Sequence, residues 1–260
     1  MNKLLVTFIG LCLILSLVSG CASSDKNVKT GQLLKIGVCP NYPPVIYKKD
    51  GKISGIEADL ALYLSDKLNS PIEFVELPFI ELIPSVEKGK VDIIMSGLSL
   101  TEGRKEKVRF VEPYFNIGQM ALIKKSEADK FSSFKGIYET ELKVGCKKGT
   151  TGEVFVKENM PKAKVEAFEN PKKAIEALNL GTLDMYIGDA PYVLNALNDN
   201  KNLKALQWLL TTESLAWAMP KNQGYDYIYK RLNEIVLHAK QCGDMRRILN
   251  NYFEVSVKVK

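Results

Sequence analysis

Short apolar runs alternate with segments of helical periodicity along most of the chain, and this alternation sets the fold class. "LLKIGV" at 33–38 reads as a buried strand, followed by the turn-rich "CPNYPP" and a hairpin that turns at Asp50-Gly51. "IEADLALYLSDKL" then places apolar residues at 56, 60, 64 and 68, one face of a helix. "IEFVEL" is a second strand, "FIELIPSVEKG" a short helix stopped at Gly89, and "VDIIM" a third strand. Repeated strand–helix units imply a parallel sheet with helices packed over its faces.

The pattern breaks at "RFVEPYF" and resumes with the strand "GQMALIK". A second series follows: the strand "LKVGC", the helix "TGEVFVKENM", the strand "KVEAF", the helix "PKKAIEALNLG", the strand "LDMYIG" and the helix "APYVLNALND". "LKALQWLL" and "SLAWAMP" read as further strands, before the helices "YDYIYKRLNEIVLHAK" and "MRRILNNYF". The body is therefore expected to form two α/β units. Periodicity leaves open whether the last helices belong to the second unit or return to the first.

Residues 1–20 read as a processing segment, with Lys3 as their only charge and an apolar core from Leu4 to Val18 that is short for a membrane span. They end in "LVSGC", where small residues directly precede Cys21, a pattern that resembles the bacterial lipoprotein processing box. On that reading the chain is cleaved before Cys21 and the Cys21 thiol carries lipid, since several acyl chains hold a protein to a bilayer where one does not. An ordinary exported protein with an unmodified Cys21, or a retained anchor, are the alternatives. Residues 21–32 form a polar tether without a core-forming pattern, and the body starts near Leu33.

Loss of Lys3 lowers the formal charge from +6 to +5, and no run of Lys and Arg is interleaved with aromatics, so nucleic acid is not an expected partner. Paired lysines, Lys147-Lys148 among them, read mostly as solvated surface. Cys39, Cys146, Cys242 and the lone His238 match no zinc spacing, and neither metal nor cofactor is expected. Three thiols allow one disulfide or none.

Ligands of open α/β sheets collect beyond the C-terminal ends of the strands. After "VDIIM" the chain supplies Ser96, Gly97, Ser99, Thr101 and Arg104, with a helical turn starting near Thr101. Small residues leave N–H groups reachable, and an arginine fork pairs bidentately with a carboxylate. The stretch reads either as a carboxylate cradle or as a capped helix with a surface arginine. In "KKGTTGEVF", Thr150 with Glu153 is a capping box, or Thr150 and Thr151 are a second set of donors facing the first. Asp189 follows Gly188 at a strand end, where it caps the helix entered through Pro191 or accepts from a cationic amine. Tyr42 and Phe79 supply flat apolar walls to a cleft, or pack on their own loops.

Five ordered stretches carry a resemblance: "GVCPNYPPVIYKKDGKISGIEADLA", "LIPSVEKGKVDIIMSGLSLTEGRKEKVRFVEPYF", "VGCKKGTTGE", "LDMYIGDAPYV" and "CGDMRRILNNYF". From about Leu33 to Tyr252 the chain resembles the family 3 extracellular solute-binding proteins, the polar-amino-acid receptors of ABC importers. The resemblance implies the type II periplasmic-binding-protein fold: two α/β lobes joined by two hinge strands, with the terminal helices returned to lobe 1. Lobe 1 is expected at 33–119 and 218–260, lobe 2 at 120–217, with "GQMALIK" and "SLAWAMP" as the crossings. Arg104 is implied to hold a ligand α-carboxylate, beside Ser99, Ser96 and the backbone around Gly97. Thr150 and Thr151 are implied as lobe 2 donors, Asp189 as the α-amino acceptor, and Tyr42 and Phe79 as aromatic walls.

Cys39 stands where amino-acid receptors often carry Asp, which weakens an arginine or lysine reading. Gly152 stands where a glutamine is often found, and Glu57 fills a usual acidic position. The implied function is binding without chemistry: a monomer in the cell envelope, lipid-anchored outside the cytoplasm, passes a polar amino acid to an ABC permease and ATPase. The alternatives are a sensory or scaffolding lipoprotein, and an enzyme like the periplasmic cyclohexadienyl dehydratases with Glu213 as its general acid.

Overall fold

The structure, a computed structural model, describes residues 29–131 and 133–253. The processing segment, Cys21 and most of the tether lie outside the described residues.

Two five-stranded sheets organise the body. The first runs Ile72–Glu76, Leu34–Val38, Ile93–Ile94, Ala218–Met219, Arg109–Phe110. Its first three strands are parallel, and Ala218–Met219 runs antiparallel to its neighbours. The second runs Lys164–Phe168, Lys143–Lys147, Met185–Asp189, Gln119–Lys124, Leu203–Ala205. Again three parallel strands come first, and Gln119–Lys124 is antiparallel to both its neighbours.

The link between the halves is a two-stranded antiparallel ribbon, Phe115–Ile117 with Glu213–Leu215. Each crossing feeds directly into the antiparallel strand of the sheet it enters. The structure thus corrects the expected crossings: Gln119–Lys124 lies wholly within the second sheet, and "SLAWAMP" is split into a ribbon strand and a first-sheet strand. Period-2 reasoning could not divide a continuous apolar run that leaves one sheet-like pairing for another. "LKALQWLL" likewise shortens to Leu203–Ala205.

Local chemistry accounts for the helices. In Ile56–Leu68 the four-residue spacing buries Ile56, Leu60, Leu64 and Leu68, each worth about 1.5–3 kcal/mol on transfer from water. Asn69, in the left-handed region, ends it. Pro171–Leu180 starts on an Asn170 side-chain cap with Pro171 in its first turn, and stops at Gly181 with φ +80°.

The terminal helices Asp226–Cys242 and Asp244–Asn250 pack against Ile56–Leu68 of the first half. Tyr225 Oη donates to Asp92 at 2.7 Å, Tyr252 Oη to Asp59 at 2.7 Å and Tyr63 Oη to Asp244 at 3.2 Å. Cys39, Cys146 and Cys242 are free thiols. Among the described residues no helix is long and apolar enough to cross a membrane, and no cluster of His, Cys, Asp and Glu is set to hold a metal.

Candidate functional site

The strand ends of the two sheets face each other across a shared cavity. It is lined by Tyr42, Phe79, Gly97, Ser99 and Arg104 from the first half, and by Lys147, Thr150, Thr151 and Asp189 from the second, with Tyr186 and Tyr192 closing one wall. The halves meet directly. Arg104 Nη2 reaches Gly149 O at 3.2 Å, Lys147 Nζ reaches Asn41 Oδ1 at 2.6 Å, and the Tyr42 and Tyr192 rings meet edge-on at 6.3 Å.

Arg104 sits in the short helix Glu102–Lys105, whose start is capped by Thr101: the Arg104 N–H donates to Thr101 Oγ1 at 3.3 Å. Its side chain is held from two sides, by Ser99 O at 2.8 Å and by the Phe79 ring, 5.6 Å from the guanidinium carbon to the ring centre. Burial lowers its pKa from the ordinary arginine value, while Asp189 and Glu213 act the other way. Capped helix and carboxylate cradle are therefore not exclusive: the cap uses the backbone, and the guanidinium faces the cavity.

Gly97 lines the floor at φ +63°. A Cβ there would lie 2.4 Å from the Tyr42 ring. Its N–H is already committed, donating to Glu57 Oε2 at 2.7 Å. Glu57 is fully buried, also accepts from Tyr114 Oη at 2.8 Å, and burial pushes its carboxyl up to about 8. Of the backbone around Gly97, this N–H is therefore braced from below by Glu57. Ser96 does not line the cavity: its hydroxyl accepts the Cys39 N–H at 2.8 Å and positions the turn. The Gly97→Ala variant should lose on the order of 2 kcal/mol of stability, because positive φ and the Tyr42 clash both oppose a side chain. Chemical denaturation measures this; an unchanged midpoint would mean that the loop relaxes freely.

Thr150 fulfils the capping reading and lines the cavity as well. It accepts the Glu153 N–H at 3.4 Å and donates to Lys147 O at 2.6 Å, while Glu153 reaches back to the Gly149 N–H at 2.6 Å. Asp189 makes no side-chain cap to the helix it precedes. Instead its Oδ1 accepts from Gln119 Nε2 at 2.6 Å, and burial raises its pKa. The buried Tyr42 hydroxyl faces Asp189 without a well-formed hydrogen bond.

Sequence reasoning did not single out Gln119, a fully buried residue of the strand just past the crossing. Its amide hydrogens serve three acceptors: Asp189, Glu213 Oε1 at 2.9 Å and Thr151 Oγ1 at 3.2 Å. A Cβ on Gly152 would lie 2.7 Å from Gln119 Oε1, so the amide fills the space beside that glycine. Burial alone would raise the Glu213 carboxyl. Hydrogen bonds from Ser99, Gln119, Thr151 and Thr211 outweigh it and hold the pKa below the usual range. These bonds make Glu213 an acceptor within the network.

Lys147 was also missed. The paired lysines read as surface, yet Lys147 is only 8 % exposed and lines the cavity, whereas Lys148 points outward to Glu169. The signal was available: Lys147 closes the strand Lys143–Lys147 at its ligand-facing end.

Two α/β lobes, a two-stranded ribbon between them and a charged cavity where they meet define a solute-binding protein of the bilobed type II class. The chain belongs to the bacterial extracellular solute-binding proteins, family 3, which it matches over residues 34–255. That membership places it outside the cytoplasm. It is 28% identical to a probable histidine-binding protein of Neisseria gonorrhoeae over 91% of this chain and 90% of the relative. An ancestral amino acid-binding protein, described as a precursor of cyclohexadienyl dehydratase, is 33% identical with a TM-score of 0.79, over 85% of this chain and 96% of that one. A putative ABC-transporter binding component of Wolinella succinogenes, solved with lysine, is 28% identical with a TM-score of 0.81, over 86% and 97%. These relatives are binding proteins rather than enzymes.

Proposed function

We propose that the protein binds a polar amino acid by closing its two lobes over it and delivers it, as a monomer, to an ABC permease and ATPase. The observation that carries this is the meeting of Arg104 and Asp189, opposite charges from opposite lobes, on one buried cavity. Arg104 takes the α-carboxylate beside Ser99, and Asp189 takes the α-amino group. Thr150 and Thr151 bring the backbone N–H groups that open the helix Thr151–Asn159 from lobe 2, their hydroxyl protons being given to Lys147 O and Glu213, and Tyr42 and Phe79 supply the apolar walls. Lobe 1 comprises about 33–118 and 218–260 and lobe 2 about 119–217, Gln119 moving from the expected lobe 1 because it pairs with Asp189 in the second sheet, with the bend in the ribbon of Phe115–Ile117 and Glu213–Leu215. Closure takes a zwitterion out of water, so each ligand charge needs a partner inside. A ligand drives closure only as far as it prefers the closed form.

The test is a thermal-shift screen of the twenty amino acids and prephenate, after unfolding and refolding to strip any bound ligand. One or a few amino acids should raise the midpoint, because binding to the folded state stabilises it. A shift from prephenate alone would overturn the receptor reading.

The same proposal includes the anchor. Cys21 carries the lipid once residues 1–20 are removed, and residues 21–32 tether the body to the membrane. Cys21→Ala should abolish labelling by radioactive palmitate and release the protein from the membrane fraction. Label that persists in this variant would refute the anchor.

A further inference from the structure

Lys147 is a buried ammonium with no ion pair among the described residues. Its Nζ donates to Asn41 Oδ1 at 2.6 Å, lies 3.9 Å from Cys39 Sγ and stands 4.7 Å from the centre of the Phe79 ring. The amide oxygen satisfies one of three donors, and a thiol sulfur is a weak acceptor. Two carboxylates act on it only from beyond ion-pair distance. Glu169 is held by Lys148 at 2.8 Å, and Asp189 by Gln119.

A charge taken from water without an opposite charge is costly, so such a group either gives up its proton or sits where an anion arrives. Two cations, Arg104 and Lys147, line this cavity against one carboxylate, Asp189. Both cations lie on the same Phe79 ring, which places them within the span of one small molecule. A zwitterionic α-amino acid uses Arg104 and Asp189 and leaves Lys147 over.

We infer that Lys147 selects the ligand's side chain, and that the site takes an amino acid with a second carboxylate, of the glutamate or aspartate class. This rests on the amino-acid reading above and narrows it. A cationic side chain would be repelled by Lys147, so the chain departs from the lysine seen in one relative and the histidine named for another. A neutral amide would leave the ammonium without a charge partner. Cys39 is central to this: a carboxylate there would neutralise Lys147 from within the protein and remove the demand on the ligand.

The test is calorimetric titration of the full-length mature protein and two variants with glutamate, aspartate, glutamine and arginine. The unaltered protein should bind glutamate or aspartate at least about tenfold more tightly than glutamine or arginine. Lys147→Gln should cost the dicarboxylic ligand about tenfold or more and move glutamine by less than about threefold. Cys39→Asp should have the same sense, lowering affinity for the dicarboxylic ligand and sparing glutamine, and it stands in if Lys147→Gln fails to fold. Tighter binding of glutamine or arginine by the unaltered protein overturns the assignment of Lys147 and leaves the receptor intact. Equal losses for every ligand in Lys147→Gln also overturn it, showing that the Lys147–Asn41 bond serves only to latch the lobes. Failure to bind any amino acid removes both readings.

Discussion

Arg104→Ala will weaken amino-acid binding by about a hundredfold or more, the loss typical when one partner of a buried charge pair is truncated. The guanidinium is aimed before any ligand arrives. Within lobe 1, Ser99 O fixes one nitrogen and the Phe79 ring covers the plane, and Gly149 O takes the other nitrogen once lobe 2 closes. A carboxylate meeting that fork therefore loses little to side-chain ordering. The thermal midpoint without ligand should change little, since the Thr101 cap uses the Arg104 backbone N–H, which alanine keeps. Arg104→Lys is the sharper control: it retains the charge and loses the fork, and should recover only a minor part of the affinity. Calorimetry checks all three, and an Arg104→Ala protein with unchanged affinity would place the carboxylate elsewhere.

Asp189→Asn will have the second largest effect, about a hundredfold for amino acids, and far less for analogues that lack the α-amino group. Asparagine can still accept from Gln119, so the local scaffold survives and the comparison isolates the charge. The variant also carries a pH signature. Burial raises the Asp189 carboxyl, so part of the empty protein holds a proton there as pH falls. An incoming ammonium favours the ionised form, so binding must release that proton. Affinity should then rise with pH until Asp189 is ionised in the free protein, and Asp189→Asn should flatten that rise. Equal losses for ligands with and without the amino group would make Asp189 a structural residue.

The strand–helix alternation made the sheets legible, because a buried parallel strand and an amphipathic helix leave different periods in the chain. The cavity residues Arg104, Thr150, Thr151 and Asp189 were legible as well, since each follows a strand end. Long-range commitments were not. Whether Gly97 offers its N–H depends on Glu57, forty residues earlier in the chain, lying beneath it. Whether Ser96 faces the ligand depends on the Cys39 turn that claims its hydroxyl. Gln119 is invisible to pattern reading because one polar residue at the start of an apolar strand looks like an edge. Its role arises only when Asp189, Thr151 and Glu213 converge on it from separate elements. Lys147 was hidden by its neighbour, because two adjacent lysines suggest surface although Lys147 is the last residue of a buried strand and Lys148 already lies in the turn beyond it.

The polar contacts around the cavity fall into two sets that share no side-chain hydrogen bond. One joins Asp189, Gln119, Thr151, Thr211 and Glu213, and faces the Arg104 fork. The other joins Lys147, Asn41 and Cys39 at the far side of Phe79's contacts. A substitution in the second set breaks none of the hydrogen bonds that hold the first, although Lys147 and Asp189 still feel each other's charge. On the reading proposed for Lys147, drift at positions 39, 41 and 147 alters which amino acid is taken while the proposed grip of Arg104 and Asp189 stays in place. On that reading, ligand preference in such a chain varies separately from the capacity to bind an amino acid.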